Sequence, residues 1–194
     1  MALIDQALVT AKEAEDYCQI QSPAHDVVIE LLINGVSQQF STYAGRSFIS
    51  ATYTSLKLTA DGTPYLYLPN WPVTTLTTVI EDGTMLTLDT DFYADLDTGL
   101  LTKASWSWPW SSGTAEWTTE PHGVVVTYAA GYTQATTLTA DLKLAALKEV
   151  ARQYRMFLLK EHGETSRSTE GSSSSYAEKP EWMDVVSRYR RIRV

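Results

Sequence analysis

The chain reads as an α+β protein: a small helical frame of two N-terminal helices plus one long helix, an inserted antiparallel β region, and a C-terminal tail helix. Three observations predict this class. Apolar residues recur at helical spacing on either side of the middle of the chain, over about 11–44 and about 140–162. Between about Phe48 and Tyr128 that period gives way to Thr-rich runs broken by Asp-Gly pairs, the signature of strands and tight turns. After Gly163 a Ser-rich stretch separates a short, Arg-ended segment from the rest.

The first helix starts at a capping box, because Thr10 and Glu13 stand three residues apart and can satisfy each other's backbone donors. It should run from about Ala11 to Gln19. Ser22 before Pro23 announces a second helix, since Pro at the first helical position loses no hydrogen bond. Val28, Leu31, Leu32, Val36, Phe40 and Tyr43 would form its buried face, and Gly45 would end it. Gly35 weakens that helix by ~1 kcal/mol relative to Ala, which suggests a close helix crossing.

In the β region, Asp61-Gly62 and Asp82-Gly83 each separate β-prone runs, as in hairpins whose turn needs positive φ. Asp97-Thr98-Gly99 marks a third turn, and Val124 to Tyr128 is apolar enough for a central strand. The third helix follows Thr139, with Leu142, Ala145, Ala146, Val150, Tyr154, Phe157 and Leu158 at helical spacing and Gly163 as terminator. Residues 164–179 lack apolar periodicity and read as a flexible linker. Pro180 then opens a segment, 180–194, in which Trp182, Met183, Val186 and Tyr189 make one apolar stripe.

Composition excludes several functions. No stretch approaches the ~20 consecutive apolar residues of a membrane span, and MALIDQALVT lacks the features of a signal peptide, so synthesis and retention in the cytosol are expected. Cys18 alone can build neither a disulfide framework nor a cysteine zinc site. Residues 1–175 carry 10 Lys+Arg against 20 Asp+Glu, whereas 176–194 carry 5 against 3. The body should therefore repel nucleic acid, while Arg188, Arg190, Arg191 and Arg193 could grip phosphate or an acidic protein surface.

Chemistry-bearing motifs are few. Asp97-Thr98-Gly99 matches the triplet of aspartic proteases, but a second copy is absent and the turn reading outweighs it. Asp89, Asp91, Asp95 and Asp97 depart from the spacing of a calcium loop and lack its closing Glu. His25, His122 and His162 fall in different elements. No phosphate loop, nucleophile elbow or zincin motif occurs, and no catalytic residue, cofactor or metal is expected. Trp106, Trp108, Trp110 and Trp117 gather around Pro109. Such a cluster is a local core, a hot-spot patch for a protein, or a stacking platform for sugar or base.

The order of LVTAKEAEDYCQI, YLYLPNWPVTTLTTVIEDGTML, DFYADLDTGLLTK, VVVTYAAGYT and DLKLAALKEVA resembles the head-tail connector (adaptor) proteins of tailed bacteriophages. The similarity runs from the first helix to the third. The chain departs from the short members in its larger β insertion with the Trp-rich loop, and in lacking the Pro common before the third helix. The resemblance implies a structural virion protein of 1–163 (connector domain), 164–179 (linker) and 180–194 (docking segment). It implies a ring, usually a dodecamer, between the portal protein and a stopper or tail protein. The ring would extend the DNA channel without sequence-specific binding and without membrane contact. Trp182, Met183, Val186, Arg188, Tyr189, Arg190, Arg191 and Arg193 would dock on the portal. Trp106, Trp108, Trp110 and Trp117 would face the tail or another partner. The competing reading is a β-rich carbohydrate- or receptor-binding module of a virion.

Overall fold

The computed structural model describes residues 2–20, 25–104, 107–108, 111–112, 115–134, 137–159, 166–169, 172–175 and 180–190. Its elements in chain order are α1 (Ala11–Cys18), α2 (Asp26–Ala44), β1 (Ala51–Leu58), β2 (Tyr65–Tyr67), β3 (Val73–Glu81), β4 (Thr84–Leu86), β5 (Phe92–Asp95), β6 (Leu100–Lys103), β7 (Ser107–Trp108), β8 (Ser111–Ser112), β9 (Val124–Ala130), α3 (Ala140–Leu159), β10 (Ser166–Thr169), β11 (Ser172–Ser175) and α4 (Trp182–Ser187). The class is α+β, with helices and antiparallel sheets. They group into two units, Met1–Gly45 with Gln134–Arg190, and Arg46–Thr133.

In the helical unit, α1 begins at the predicted capping box: Glu13 N donates to Thr10 Oγ1 at 3.2 Å and Thr10 N to Glu13 Oε2 at 2.9 Å. α2 ends at Gly45 in the left-handed region, where the missing Cβ removes strain. Its predicted start at Ser22-Pro23 lies outside the described residues. The buried face is centred on Ile29, Ile33, Val36, Phe40 and Ala44, a correction to the predicted face, because Leu31 is 53% exposed. The N-terminal segment accounts for part of the difference. Ala7, Leu8 and Val9 are buried, and Asn34 and Ser37 receive the Ile4 and Leu8 amides at 3.1 and 3.0 Å. Gly35 is no crossing notch, since a Cβ there would meet nothing within 4 Å.

On α3 the buried stripe runs from Leu142 through Ala145, Ala146 and Val150 to Tyr154, while Phe157 and Leu158, expected on it, are exposed. Of the Ser-rich stretch, 166–169 and 172–175 are among the described residues. The β10 backbone pairs antiparallel with β11, from Ser166↔Ser175 to Thr169↔Ser172, because ladder hydrogen bonds need no apolar side chains.

The β unit holds a four-stranded sheet in the order β1-β9-β3-β4, a three-stranded sheet β2-β6-β5 and the small pair β7-β8. β9 is central as predicted, and its Val124, Val126, Tyr128 and Ala130 alternate into the core. Asp82 and Gly83 take positive φ and join β3 to β4 in a hairpin, and the Asp97–Gly99 turn joins β5 to β6. Asp61-Gly62 is not a hairpin turn: β1 pairs with β9 and β2 with β6. There Asp61 Oδ1 accepts from Thr63 N and Oγ1, which turns the chain away from β1 toward the other sheet.

The unit's core is continuous and includes Leu66, Leu68, Val79, Phe92, Leu101, Trp117, Val126 and Tyr128. Its two ends are stitched together. Tyr132 N donates to Phe48 O at 2.7 Å, and Ser50 N to Tyr132 O at 2.9 Å. Gly131, at φ 116°, permits this approach, since a Cβ would stand 2.7 Å from the Ile49 carbonyl carbon.

Candidate functional site

The predicted docking segment is seated on its own chain. Trp182 stacks on Phe40 of α2 at 4.8 Å between ring centroids and meets Tyr43 edge-on at 5.4 Å. Val186, one turn on, is fully buried, and Met183 is half-buried. Tyr189 donates its hydroxyl to the Asp141 carboxylate at 2.9 Å and lies 3.2 Å from Thr139 Oγ1. Burial would raise the Asp141 pKa, but hydrogen bonds from Thr139, Tyr189 and the Leu142 amide outweigh it and hold the carboxyl below its usual range. A six-residue helix is too short to persist alone, so these tertiary contacts are what keep it formed.

Trp182, Val186 and Tyr189, expected to dock on the portal, are engaged with their own unit here. They fasten α4 internally and leave Arg188 and Arg190 exposed beyond its end, with Arg190 over the Tyr43 ring at 5.3 Å. Arg191 and Arg193 lie outside the described residues. The sequence signal was an apolar stripe, which specifies burial without saying against which chain.

The tryptophan cluster separates in the same way. Trp106 and Trp110 lie outside the described residues, and Trp108 belongs to β7. Trp117 is only 1% exposed, so it leaves the partner-facing set. Its Nε1 donates to Pro64 O at 3.0 Å, its ring packs at a tilt on Phe92, and the Lys103 ammonium stands 4.7 Å from the ring centroid. Lys103 also pairs with Glu81, whose other oxygen accepts from Thr118 N at 2.9 Å. Arg46 is buried in an aromatic cage, 3.7 Å from the Trp71 centroid with Phe48 and Tyr132 alongside. Burial lowers its pKa to about 10, which leaves it charged at neutral pH.

The carboxylate run holds turns. Asp91 accepts from the Thr87 amide at 2.7 Å, and Asp95 accepts from Asp97 N, Thr98 N and Thr98 Oγ1. The Thr98 hydrogen bond is the leading reason that Asp95 titrates low. Among the described residues no group of three or more His, Cys, Asp or Glu is placed to hold a metal ion. His25 meets Tyr154 Oη at 3.0 Å, His122 sits in a positive-φ turn, and His162 lies outside the described residues. Cys18 is a half-buried thiol whose pKa burial raises.

One surface escaped the sequence reading. Register in the three-stranded sheet puts Tyr65 and Tyr93 on either side of Thr102, and the next row on that face holds Tyr67, Leu100 and Asp95. Tyr65 and Tyr93 are 53% and 54% exposed, whereas Leu66 and Leu101 face the core. The alternation in YLYL signals one wet face; that two distant strands bring tyrosines to one row is a matter of long-range pairing.

The helical unit thus carries exposed arginines at the end of α4, and the β unit an aromatic, acidic sheet face. The head completion protein family matches residues 7–192, almost the whole chain, and the chain belongs to that family. It is a structural protein of the virion, acting where head is joined to tail. Solved structures agree on the fold. The chain is similar to one in the neck of the empty gene transfer agent (GTA) particle computed with C6 symmetry, at 18% identity and TM-score 0.63, covering all of this chain and 94% of that one. A chain of the native GTA virion gives 19% and 0.62 with the same coverage. One from the native GTA neck computed with C12 symmetry gives 18% and 0.59, again with that coverage. No curated protein sequence matches.

Proposed function

We propose that the protein assembles as a ring between portal and tail, extends the DNA channel, and docks on the portal through its C-terminal arginines. The observation that carries this reading is the seating of α4. With Trp182 and Val186 holding the helix on the unit that bears it, Arg188 and Arg190 stand at its end, with Arg191 and Arg193 next in the chain. The helical unit serves as the frame for contacts between copies, and the β unit faces the tail-side protein. A heterologous contact, one face of a copy against a different face of the next, closes such a ring by rotation. The C6 and C12 symmetry of the similar GTA neck structures supports a ring. The acidic body suits a channel wall, because like charge removes the phosphate contacts that would hold passing DNA. The role is architectural, with no reaction catalysed; the binding of Asp95 to its own turn supports this for the Asp97-Thr98-Gly99 triplet.

The test mixes the purified protein with the portal protein of the same particle and images the product by electron microscopy. Removing everything after Gly163 would also strip Trp182 from Phe40, so the informative variant reverses charge at Arg188, Arg190, Arg191 and Arg193 to Glu and keeps α4. Rings stacked on portals with the native chain, and at least tenfold fewer with the variant, are expected. Equal decoration by both would remove the arginines from the portal contact, and no association of the native chain would overturn the connector reading.

A further inference from the structure

We infer that the outer face of the β2-β6-β5 sheet is the docking surface for a basic, arginine-bearing segment of the tail-side protein; this rests on the connector reading above. The face is aromatic, and its Tyr65 and Tyr93 are about half exposed among the described residues. Tyr65, Thr102 and Tyr93 form one cross-strand row, and Tyr67, Leu100 and Asp95 the row two residues along. On such a row, side chains two strands apart stand ~10 Å from each other, since neighbouring strands are ~4.8 Å apart. That spacing admits an extended peptide or a guanidinium between the rings. Two half-exposed tyrosines held on paired strands lose little entropy on binding, and their ring faces attract cations.

The charge of the unit selects the occupant. Residues 46–133 hold three Lys+Arg against nine Asp+Glu. Two of the cations are already used, Arg46 buried in its aromatic cage and Lys103 paired with Glu81, which leaves Lys57 as the exposed cation among the described residues. Asp95 lies in the face itself, and its hydrogen bonds from Thr98, Asp97 N and Thr98 N keep it in the form that accepts from a guanidinium. Asp97 is exposed in the turn that ends this strand pair. An acidic partner would meet repulsion here. A neutral sugar would find the aromatic faces but leave the field of the carboxylates unanswered.

The probe is a fluorescently labelled hexa-arginine peptide, with hexaglutamate and a neutral oligosaccharide as controls, titrated at ~0.15 M salt, where diffuse surface attraction is screened beyond ~8 Å. The native chain should bind hexa-arginine and neither control. The double variant Tyr65→Ser, Tyr93→Ser keeps every charge and both strands; with an unchanged melting temperature it should bind at least tenfold more weakly. A second fold check is ring formation on the portal, which this variant should retain. In particles it should yield DNA-filled, ring-bearing heads with at least tenfold fewer tails. Undiminished peptide binding or normal tail joining by the variant would overturn the proposal, as would oligosaccharide binding lost with the tyrosines. Binding that emerges only in a chain ending at Ser187 would identify the face as a seat for the protein's own arginines, and would also overturn it. Absence of rings with the native chain would instead defeat the connector reading, so the two failures are distinguishable.

Discussion

At the scale of single residues, the β unit holds a largely covered ion pair, Lys103 with Glu81, that has two further partners. Lys103 and Glu81 are each about nine-tenths covered by other side chains, and each has further contacts, Trp117 under the ammonium and the Thr118 amide on the carboxylate. Removing one partner leaves the other charge in a place with little water, which in general costs ~3–5 kcal/mol. Lys103→Met should therefore lower stability by about 3 kcal/mol, read from the urea midpoint at constant slope. Adding Glu81→Gln neutralises the stranded carboxylate and keeps an acceptor for Thr118 N, so the double variant should recover more than half of the loss. A single variant within ~0.5 kcal/mol of the native chain would show that the pair is solvated after all. None of this was legible in the sequence. Trp117 read as part of an aromatic loop because a Trp in a polar stretch gives no sign of which strand pair will cover it, and Lys103 and Glu81 belong to two different sheets, so only the tertiary fold brings them together.

Among the elements, those defined by local chemistry matched their sequence signals. The Thr10–Glu13 box, the Asp82-Gly83 hairpin and the Asp97–Gly99 turn each rest on contacts within four residues. Those defined by distant partners did not: β1 finds β9 more than sixty residues away instead of its neighbour β2, and the buried face of α2 turns toward Asn34 and Ser37 because the N-terminal segment hydrogen-bonds there. The seating of α4 belongs with the second group, and it carries a pH dependence. Asp141 accepts from Tyr189, and Glu13 accepts from Lys143 at 2.5 Å; both carboxyls titrate below their ordinary values, with burial opposing and hydrogen bonds prevailing. A depressed folded-state pKa means that the stabilisation is complete above the unfolded value of 3.8 for Asp141 and is lost as pH falls through the lower folded one. The fluorescence difference between the native chain and Trp182→Phe isolates Trp182, and it should shift red in that acid window as α4 loosens. Asp141→Asn should flatten the shift. An identical titration in Asp141→Asn would place the acid sensitivity elsewhere.

On the scale of the whole molecule, the two units differ in how they are closed. The helical unit is assembled from both ends of the sequence, so α1 and α2 wait for α3 and α4 before their apolar faces are covered. Among the described residues the β unit is drawn from 46–133, with a buried core between Ala60 and Ala130, Tyr53, Leu56 and Leu58 of β1 packed against it, and its entry and exit joined by the Phe48–Tyr132 and Ser50–Tyr132 hydrogen bonds. A segment with its own core and paired ends meets the physical conditions for folding alone, although a domain of this size buries only ~60–65% of the surface its unfolded chain exposes and is correspondingly marginal. Residues 46–133 expressed by themselves should therefore give a cooperative urea transition and β-type circular dichroism, with stability of a few kcal/mol, near the low end of the ~5–15 kcal/mol usual for natural domains. Within that fragment Gly131→Ala is the sharpest probe of closure, because its Cβ would press on the Ile49 backbone at the point where the ends are stitched. It should weaken the fragment by more than the ~0.5–1 kcal/mol typical of a glycine replaced elsewhere. A fragment that melts without cooperativity would mean that the β unit borrows its stability from the rest of the chain, and a fragment indifferent to Gly131→Ala would mean that its ends are not held as the hydrogen bonds indicate.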